Sequence, residues 1–386
     1  MKKGNKFIVF LLVIAGLAIY NNTKNGGGGI PFPEVTLMDE DLENKYYYST
    51  LDSEQEQLTY KELYEGLMLR SDEIYVHACG RLVTSQIVGF VEKDFPEIFW
   101  IDGKLEVSIS FDEQWGTEYA IVTPEYRYTL DEISDMKQEI DNLTQECLQS
   151  CEEMESDYEK VKYISEYLID TVEYKSNNHD QNIYSALVMG ETVCAGYTKS
   201  LHYLLEKVGV ECYNVDGIPK DQEDEVGHTW NIVNCDGNYY YVDVTWADTD
   251  AEKQEHQTLI KYDYICFSES VLQETHKEYN VFDPGFFPEC NSEDLNYYRL
   301  NDMFYDDFQY DEVLAAMKES ISQKEDYTVL KFANKEDYEN AVENIKGKLL
   351  DDALQYQLNY YRMYQNSCNY NYSDELKKIE IFWQYE

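Results

Sequence analysis

The sequence lacks the short motifs by which proteins usually build a metal site. It contains no Cys-x-x-Cys pair and no His-Glu-x-x-His segment, the patterns typical of zinc ligands. The oxygen-rich segment Asp248–Asp250 is a hint of calcium, but no EF-hand pattern surrounds it. We therefore predict no required metal and no other cofactor.

Positive charge is also scarce. Lys and Arg number 31 against 76 Asp and Glu, which gives a formal net charge of −45 at pH 7. A surface of this sign repels nucleic acid and anionic lipid, so both are poor partners. We attribute the excess of acidic side chains to solvation.

Cysteine is absent from the start of the chain. The first is Cys79, which argues against an anchor built on a lipid-modified N-terminal cysteine. The nine cysteines show no compact spacing of a disulfide scaffold. Cys147 and Cys151 share a helical face, which is a poor geometry for a disulfide. The disulfide state stays open at this point.

The N-terminus has the pattern of a targeting segment. Lys2, Lys3 and Lys6 precede an apolar run from Phe7 to Tyr20, and a glycine linker follows at 26–29. A basic start before such a run is typical of a signal peptide or a short signal anchor in the membrane. The lysines lie on the side that is not translocated, so we expect the rest of the chain at the cell surface or outside the cell. Cleavage is left open.

The length of 386 residues is enough for two or three domains with their own cores. We predict a targeting segment (1–29), an N-terminal α+β region (30–128), a central α+β domain (129–285) and a small C-terminal α/β module (286–386). Capping boxes at Ser53, Thr129 and Ser156 predict helix starts. In the module, alternating patterns predict a helix at 310–322, a strand at 327–332, a helix at 335–357 and a strand at 378–383.

Cys194 is predicted to open a helix. Apolar residues follow it at helical spacing, and Gly209 stands where a C-terminal cap is expected. The free N–H groups of a helix start favour a thiolate and can donate to an oxyanion. Gly196 removes a side chain beyond the sulfur, which would let a substrate backbone approach.

His228 and Asp243 are predicted to face each other across a hairpin. Two strand patterns, 228–234 and 238–244, flank a two-residue turn at Asp236–Gly237. In that register Trp230 pairs with Asp243, and His228, which pairs with Thr245, is the diagonal neighbour of Asp243 on the same face. The carboxylate would fix the tautomer of His228 and favour its charged form. Each residue alone has a structural explanation, and Asp243 could be a strand-end cap; their joint order favours a Cys-His-Asp triad.

Three segments resemble the transglutaminase-like superfamily of papain-type cysteine enzymes: Cys194–Tyr197, Gly227–Asn231 and Tyr241–Trp246. The segment Asp94–Trp100 also resembles a stretch found in bacterial members. The resemblance implies a papain-like α+β core in which Cys194 is the nucleophile, His228 the base and Asp243 the orienting acid.

Three further residues are candidates for substrate or oxyanion contacts: Tyr184, Gly196 and Trp230. For Tyr184, core packing is the alternative. His276 is predicted to be structural. The acidic residues at 221–225 would either rim the cleft and favour a basic substrate or form an ordinary solvated loop.

We therefore expect an exported cysteine enzyme that acts on amide bonds through a thioester. Water would release the product in a peptidase or amidase, and an amine would do so in a transglutaminase; hydrolysis is the preferred expectation. The expected substrate is a peptide or protein, with cell-wall peptide among the candidates. The alternative is a protein-interaction or scaffold domain without catalysis. The sequence does not indicate an oligomeric state.

Overall fold

The computed structural model describes residues 30–113, 116–220, 227–248, 260–278 and 286–385. The predicted targeting segment, the acidic loop at 221–225 and the predicted end of the central domain near 283–285 lie outside the described residues. Within the described ranges, none of the helices combines the length and the hydropathy that crossing a bilayer requires.

The N-terminal region packs helices against a three-stranded antiparallel sheet with the order β1-β3-β2. Its main elements are α1 (Tyr46–Ser49), α2 (Glu54–Met68), β1 (Ile74–His77), α3 (Arg81–Asp94), β2 (Ile101–Asp112) and β3 (Thr117–Tyr126). The predicted capping box is confirmed: Ser53 Oγ accepts from the N–H of Glu56, whose carboxylate accepts from the N–H of Ser53.

The central region begins with two long helices and continues into a five-stranded antiparallel sheet with the order β10-β6-β7-β8-β9. The elements are α4 (Leu130–Cys151), α5 (Asp157–Thr171), β4 (Glu173–Tyr174), β5 (Glu191–Thr192), α6 (Cys194–Lys207), β6 (Cys212–Pro219), β7 (His228–Cys235), β8 (Asn238–Val242), α7 (Val244–Ala247), β9 (Ile265–Phe267), α8 (Glu269–Thr275) and β10 (His276–Glu278). The capping boxes at Thr129 and Ser156 are confirmed. Helix α6 packs on β6 and β7.

The hairpin between β7 and β8 has the predicted two-residue turn. Cys235 pairs with Asn238, and the turn residues Asp236 and Gly237 have positive φ angles of 54° and 86°. Both angles suit the type I′ turn that fits the twist of two adjoining strands. The predicted strand to residue 244 is wrong, because β8 ends at Val242 and Asp243 caps α7. Thr245 is therefore helical, and His228 pairs with Gly217 instead.

The C-terminal module is a four-stranded sheet with the order β11-β12-β14-β13, covered by helices. Its elements are α9 (Tyr297–Leu300), β11 (Phe304–Tyr305), α10 (Tyr310–Gln323), β12 (Tyr327–Phe332), α11 (Lys335–Asn344), α12 (Leu350–Tyr361), β13 (Cys368–Ser373) and β14 (Lys378–Trp383). The predicted helix at 335–357 is interrupted by a π-helical turn at Ile345–Leu349 that contains Gly347. Strand β13 was not predicted, because none of its side chains is buried and its pattern lacks an apolar face.

The buried side chains form two cores. One core is shared by the N-terminal region and the central region, and the other lies within the C-terminal module. Mixed helices and antiparallel strands confirm the predicted α+β class.

A buried ionic cluster joins the two cores. Lys331 and Lys378, on adjacent strands of the C-terminal sheet, each place Nζ 2.6 Å from a carboxylate oxygen of Asp263 in the central region. Tyr298 donates its hydroxyl to the same carboxylate at 2.7 Å. Burial opposes the charge of Asp263, but the two ammonium groups outweigh it and hold its pKa well below the usual range. The module is thus attached through a charge that water does not reach.

Replacing Lys378 by Met should destabilise the protein by about 3 kcal/mol, because Asp263 would keep one ammonium partner instead of two. Lys335→Met is the matched control, since Lys335 makes an exposed pair with Glu339 at 3.6 Å, a type worth under about 1 kcal/mol. Because the pKa of Asp263 is depressed in the folded protein, its carboxylate stabilises the fold at pH values above the pKa that Asp263 has in the unfolded chain. This stabilisation is lost as the pH falls from there through the folded-state pKa. Urea unfolding at neutral and acid pH measures both effects; equal losses in the two variants would contradict the role of the cluster.

Candidate active site

Cys194 is the first residue of α6, as predicted. The preceding residue, Val193, has extended backbone, and the helix runs to Lys207 with Gly209 just beyond it at a φ of 79°. The apolar face of the helix is buried against the sheet, which fixes the direction of its N-terminus. The Cys194 side chain is half-buried at this end, where a helix has free N–H groups.

The structure brings Cys194, His228 and Asp243 together. His228 is the first residue of β7, and its Nε2 lies 2.6 Å from Oδ2 of Asp243. The Cys194 side chain lies close enough to the ring to contribute to the raised pKa of His228, and Nδ1 is the nitrogen that Asp243 leaves available. Asp243 Oδ1 accepts from the N–H of Trp246 at 3.0 Å, so capping α7 orients the carboxylate. Asp243 therefore both caps α7 and forms the hydrogen bond with His228.

Electrostatics favour the charged forms of His228 and Asp243. Burial alone would lower the pKa of His228, but the charge and the hydrogen bond of Asp243, with a smaller contribution from Cys194, raise it to about 10. Burial likewise works against the Asp243 carboxylate, yet His228 and His276 hold its pKa well below the usual range. The imidazole is thus held as an imidazolium at neutral pH.

His276 is a site residue that the sequence reasoning missed. It begins β10, is fully buried, and places Nε2 3.0 Å from Oδ2 of Asp243. An ionised carboxylate can only accept, so this nitrogen must carry hydrogen. The ring centres of His276 and His228 are 5.5 Å apart, and that of Trp246 is 4.1 Å from His276. No local pattern signals the contact, because pairing of β10 with β6 brings the ring there.

Gly196 and Trp230 have packing contacts in the structure, and their substrate or oxyanion roles stay predictions. A Cβ at Gly196 would lie 1.8 Å from Oγ1 of Thr192, so the absence of a side chain there makes room for Thr192. Trp230 has no exposed surface and contacts the rings of His228 and His276. Its indole packs against both histidine rings and is closed to solvent.

The Tyr184 side chain contacts Glu139 and Phe99. Its hydroxyl donates to Glu139 Oε2 at 2.7 Å, and its ring stacks on Phe99. Burial and the Glu139 carboxylate raise its pKa to about 12. These contacts match the packing alternative, and an oxyanion role for Tyr184 stays a prediction.

His228, Asp243 and His276 are also the one group among the described residues whose donor atoms, all within 4.8 Å of one another, are close enough for a metal ion. The spacing is that of hydrogen bonds. Two ligands of a tetrahedral ion at about 2.1 Å from the metal are about 3.4 Å apart, whereas Nε2 of His228 and Oδ2 of Asp243 are 2.6 Å apart. The group does not fit a metal without moving. At the candidate calcium segment, Asp248 accepts a hydrogen bond from Tyr197, and residues 249–250 lie outside the described ranges.

All nine cysteines are free thiols. Cys147 and Cys151, on one face of α4, are both buried and unbridged, which agrees with the geometric argument against a disulfide there. Cys194 is distinguished from them by its half-exposed position and its contact with His228.

Among solved structures, the chain is similar to a TGase at 17% identity over 41% of this chain and 48% of that one, with a TM-score of 0.25. It is also similar to a candidate cysteine protease from Cytophaga hutchinsonii at 12% identity, over 50% and 82% of the chains, with a TM-score of 0.26. The chain thus spans about half the length of the TGase. Similarities this weak carry no argument about individual residues. Among curated proteins, none matches.

A protein-family model matches the central part of the chain. Residues 142–250 match the transglutaminase-like superfamily, and this range contains all three segments that carried the resemblance. It also contains α6, β7, β8 and α7, the elements that position Cys194, His228 and Asp243. The chain therefore carries a domain of the transglutaminase-like superfamily, centred on residues 142–250.

Proposed function

We propose that the protein is a cysteine enzyme that cleaves amide bonds through a thioester on Cys194. One observation carries the proposal: Cys194 lies beside His228, whose Nε2 forms a hydrogen bond with the buried Asp243. Such an arrangement supplies a nucleophile, an acid–base group and the group that orients it. The superfamily match supports the same chemistry.

The first half-reaction follows from the geometry. The Cys194 thiolate attacks the carbonyl carbon of a substrate amide, and the carbonyl electrons move to oxygen, where N–H groups at the start of α6 can stabilise the oxyanion. As the oxyanion collapses, the C–N bond breaks and His228 gives its proton to the leaving amine. The products are a free amine and a thioester on Cys194, with His228 now neutral.

The second half-reaction regenerates the free enzyme. Neutral His228 takes a proton from an acceptor, which attacks the thioester and releases the thiolate. We propose water as the acceptor, so that the product is a carboxylic acid and the enzyme is a peptidase or amidase. An amine acceptor, as in a transglutaminase, would use the same three residues. Peptides or proteins, including cell-wall peptides, are the proposed substrates.

We also propose that residues 1–29 direct the chain out of the cytoplasm and hold it at the cell surface unless they are cleaved. The basic start and the apolar run that follows it support this placement. The net charge of −45 supports a protein partner over nucleic acid or anionic lipid.

Cys194 should react with iodoacetamide at pH 6–7, where an ordinary thiol with a pKa of about 8.5 is protonated. His228→Ala should slow that reaction about tenfold to a hundredfold, because the imidazolium that stabilises the thiolate is lost. The raised pKa of His228, about 10, keeps this effect present at acid and neutral pH. The two rates should converge above about pH 9, where a thiol ionises without help. Peptide mass spectrometry of the alkylated protein gives the rate at each cysteine.

The matched control for this experiment is His179→Ala. His179 lies in the same part of the chain, and its Nδ1 forms a hydrogen bond with the Tyr128 hydroxyl at 2.7 Å. Among the described residues, it makes no hydrogen bond with the triad. A Cys194 that reacts no faster than the other thiols, or an equal loss in both variants, would remove the active-enzyme proposal and leave the scaffold alternative.

His276→Leu should slow alkylation of Cys194 about tenfold at neutral pH. The buried carboxylate of Asp243 would lose one donor, and a hydrogen bond to a charged group is worth about 1.5–3 kcal/mol. His276→Gln retains an N–H donor and should recover part of the rate. His202→Leu is the control for removing a buried histidine, since His202 makes no contact with Asp243 among the described residues. If Leu and Gln at position 276 slow the reaction equally, His276 packs the site without positioning Asp243.

The acceptor of the thioester can be identified by offering water and an amine in the same reaction. Peptide substrates incubated in isotopically labelled water with a fluorescent primary amine should gain labelled oxygen at a new carboxyl group and little amine. Cys194→Ala should abolish both products, since each passes through the thioester. Predominant amine incorporation would replace hydrolysis by transglutamination and leave the nucleophile unchanged.

A further inference from the structure

Tyr174 is the last residue of β4 and lies beside the segment that leads into the nucleophile helix. Strand β4 pairs in parallel with β5 so that Tyr174 is opposite Thr192, and the N–H of Lys175 donates to the carbonyl of Thr192 at 2.8 Å. Cys194 begins α6 two residues after Thr192. Because paired strands lie about 4.8 Å apart, this register fixes Tyr174 next to the start of α6.

The Tyr174 side chain is directed toward the first turn of α6. Its ring lies parallel to the ring of Tyr197, with an interplanar angle of 11° and centres 6.5 Å apart. Tyr197 follows Cys194 by three residues, so the two share a face of the helix. Burial, together with the charges of Cys194 and Asp243, raises the pKa of the Tyr174 hydroxyl. Strand register and ring stacking thus agree that this phenol lies beside the triad.

The Tyr174 ring is accessible from outside the protein. The residue is 44% exposed, and among the described residues its ring stacks on Tyr197 alone while its hydroxyl makes no hydrogen bond. A single exposed aromatic ring is ordinary on a protein surface, so its place beside the nucleophile is what sets Tyr174 apart. The other aromatic side chains of similar exposure in the described ranges lie in the N-terminal sheet or the C-terminal module: Phe111, Tyr327, Tyr360, Tyr364 and Tyr370.

The charges around this ring favour an apolar ligand over a cation. The Asp180 carboxylate accepts from the Ser176 hydroxyl at 2.6 Å, and Glu191 forms an ion pair with Lys175. Glu173 precedes the tyrosine in β4, and successive side chains of a strand point to opposite faces. The neighbouring carboxylates are therefore engaged or directed away, and the ring itself is the surface that a ligand would meet.

We infer that Tyr174 is a specificity-determining residue, against whose ring an aromatic or large apolar side chain of the substrate packs, next to the amide bond that Cys194 attacks. This inference rests on the proposed function and narrows its substrate class. Aromatic rings stack on one another with an offset or meet edge to face, and a ring that is exposed on one side and supported on the other by Tyr197 suits either geometry.

The test compares two alkylating reagents on the full-length chain, iodoacetamide and N-benzyl-2-iodoacetamide. Both react with a thiolate at the same carbon, and only the second carries an aromatic ring. Peptide mass spectrometry gives the two rate constants at Cys194, and their ratio cancels the reactivity of the thiolate itself. The benzyl reagent should react about threefold to tenfold faster, the size of one favourable aromatic pair. Tyr174→Ala should bring the ratio to about one, and Tyr174→Phe should retain the preference because the ring remains.

The matched control is Tyr370→Ala in β13. Tyr370 is a strand residue that is 42% exposed and stacks on Tyr372, so the variant removes a comparable ring far along the chain from the triad. Its ratio should equal that of the unaltered protein. A ratio that Tyr174→Ala leaves unchanged, or that both alanine variants lower equally, would overturn the inference. A loss in Tyr174→Phe as large as in Tyr174→Ala would overturn it too, since the hydroxyl and not the ring would then be responsible.

Failure of this inference can be distinguished from failure of the proposed function. The absolute rate of Cys194 with iodoacetamide, compared with the other thiols, reports whether the cysteine is activated. The ratio of the two reagents can be measured at a slow thiol as well as at a fast one. A fast Cys194 with no preference for the benzyl reagent would keep the enzyme and remove the role of Tyr174.

Discussion

The buried carboxylate of Asp243 is the constraint on which the rest of the site depends. It accepts from two histidine rings and from the N–H of Trp246, while its own N–H donates to the carbonyl of Tyr264 at 2.9 Å. An unpaired carboxylate at 1% exposure would be costly enough to take up a proton. Because donors surround it, the charge survives burial and can hold His228 as an imidazolium. Helix α6 contributes the other neighbour of His228, the Cys194 side chain.

Two other buried carboxylates with several hydrogen-bond donors lie outside the triad. Asp94, at the end of α3, accepts from the N–H groups of Tyr47 and Tyr48 and from the Tyr60 hydroxyl. Burial raises its pKa to about 6 despite these bonds. Asp263 is compensated by two lysines of the C-terminal module and lies beside Tyr264, which holds the backbone of Asp243. The C-terminal module is thus linked to the site through the neighbouring residues Asp263 and Tyr264.

Local chemistry in the sequence determined the elements and much of the triad. Helical spacing and Gly209 located α6 with Cys194 at its start, and Asp236–Gly237 set a two-residue hairpin because few other residues accept positive φ twice in succession. Tertiary structure alone decided what depends on distant residues. Asp243 leaves the strand to cap a helix, His276 reaches the same carboxylate through a strand paired with β6, and Gly196 is small because of Thr192. Those contacts arise from packing between segments, and no spacing along the chain encodes them.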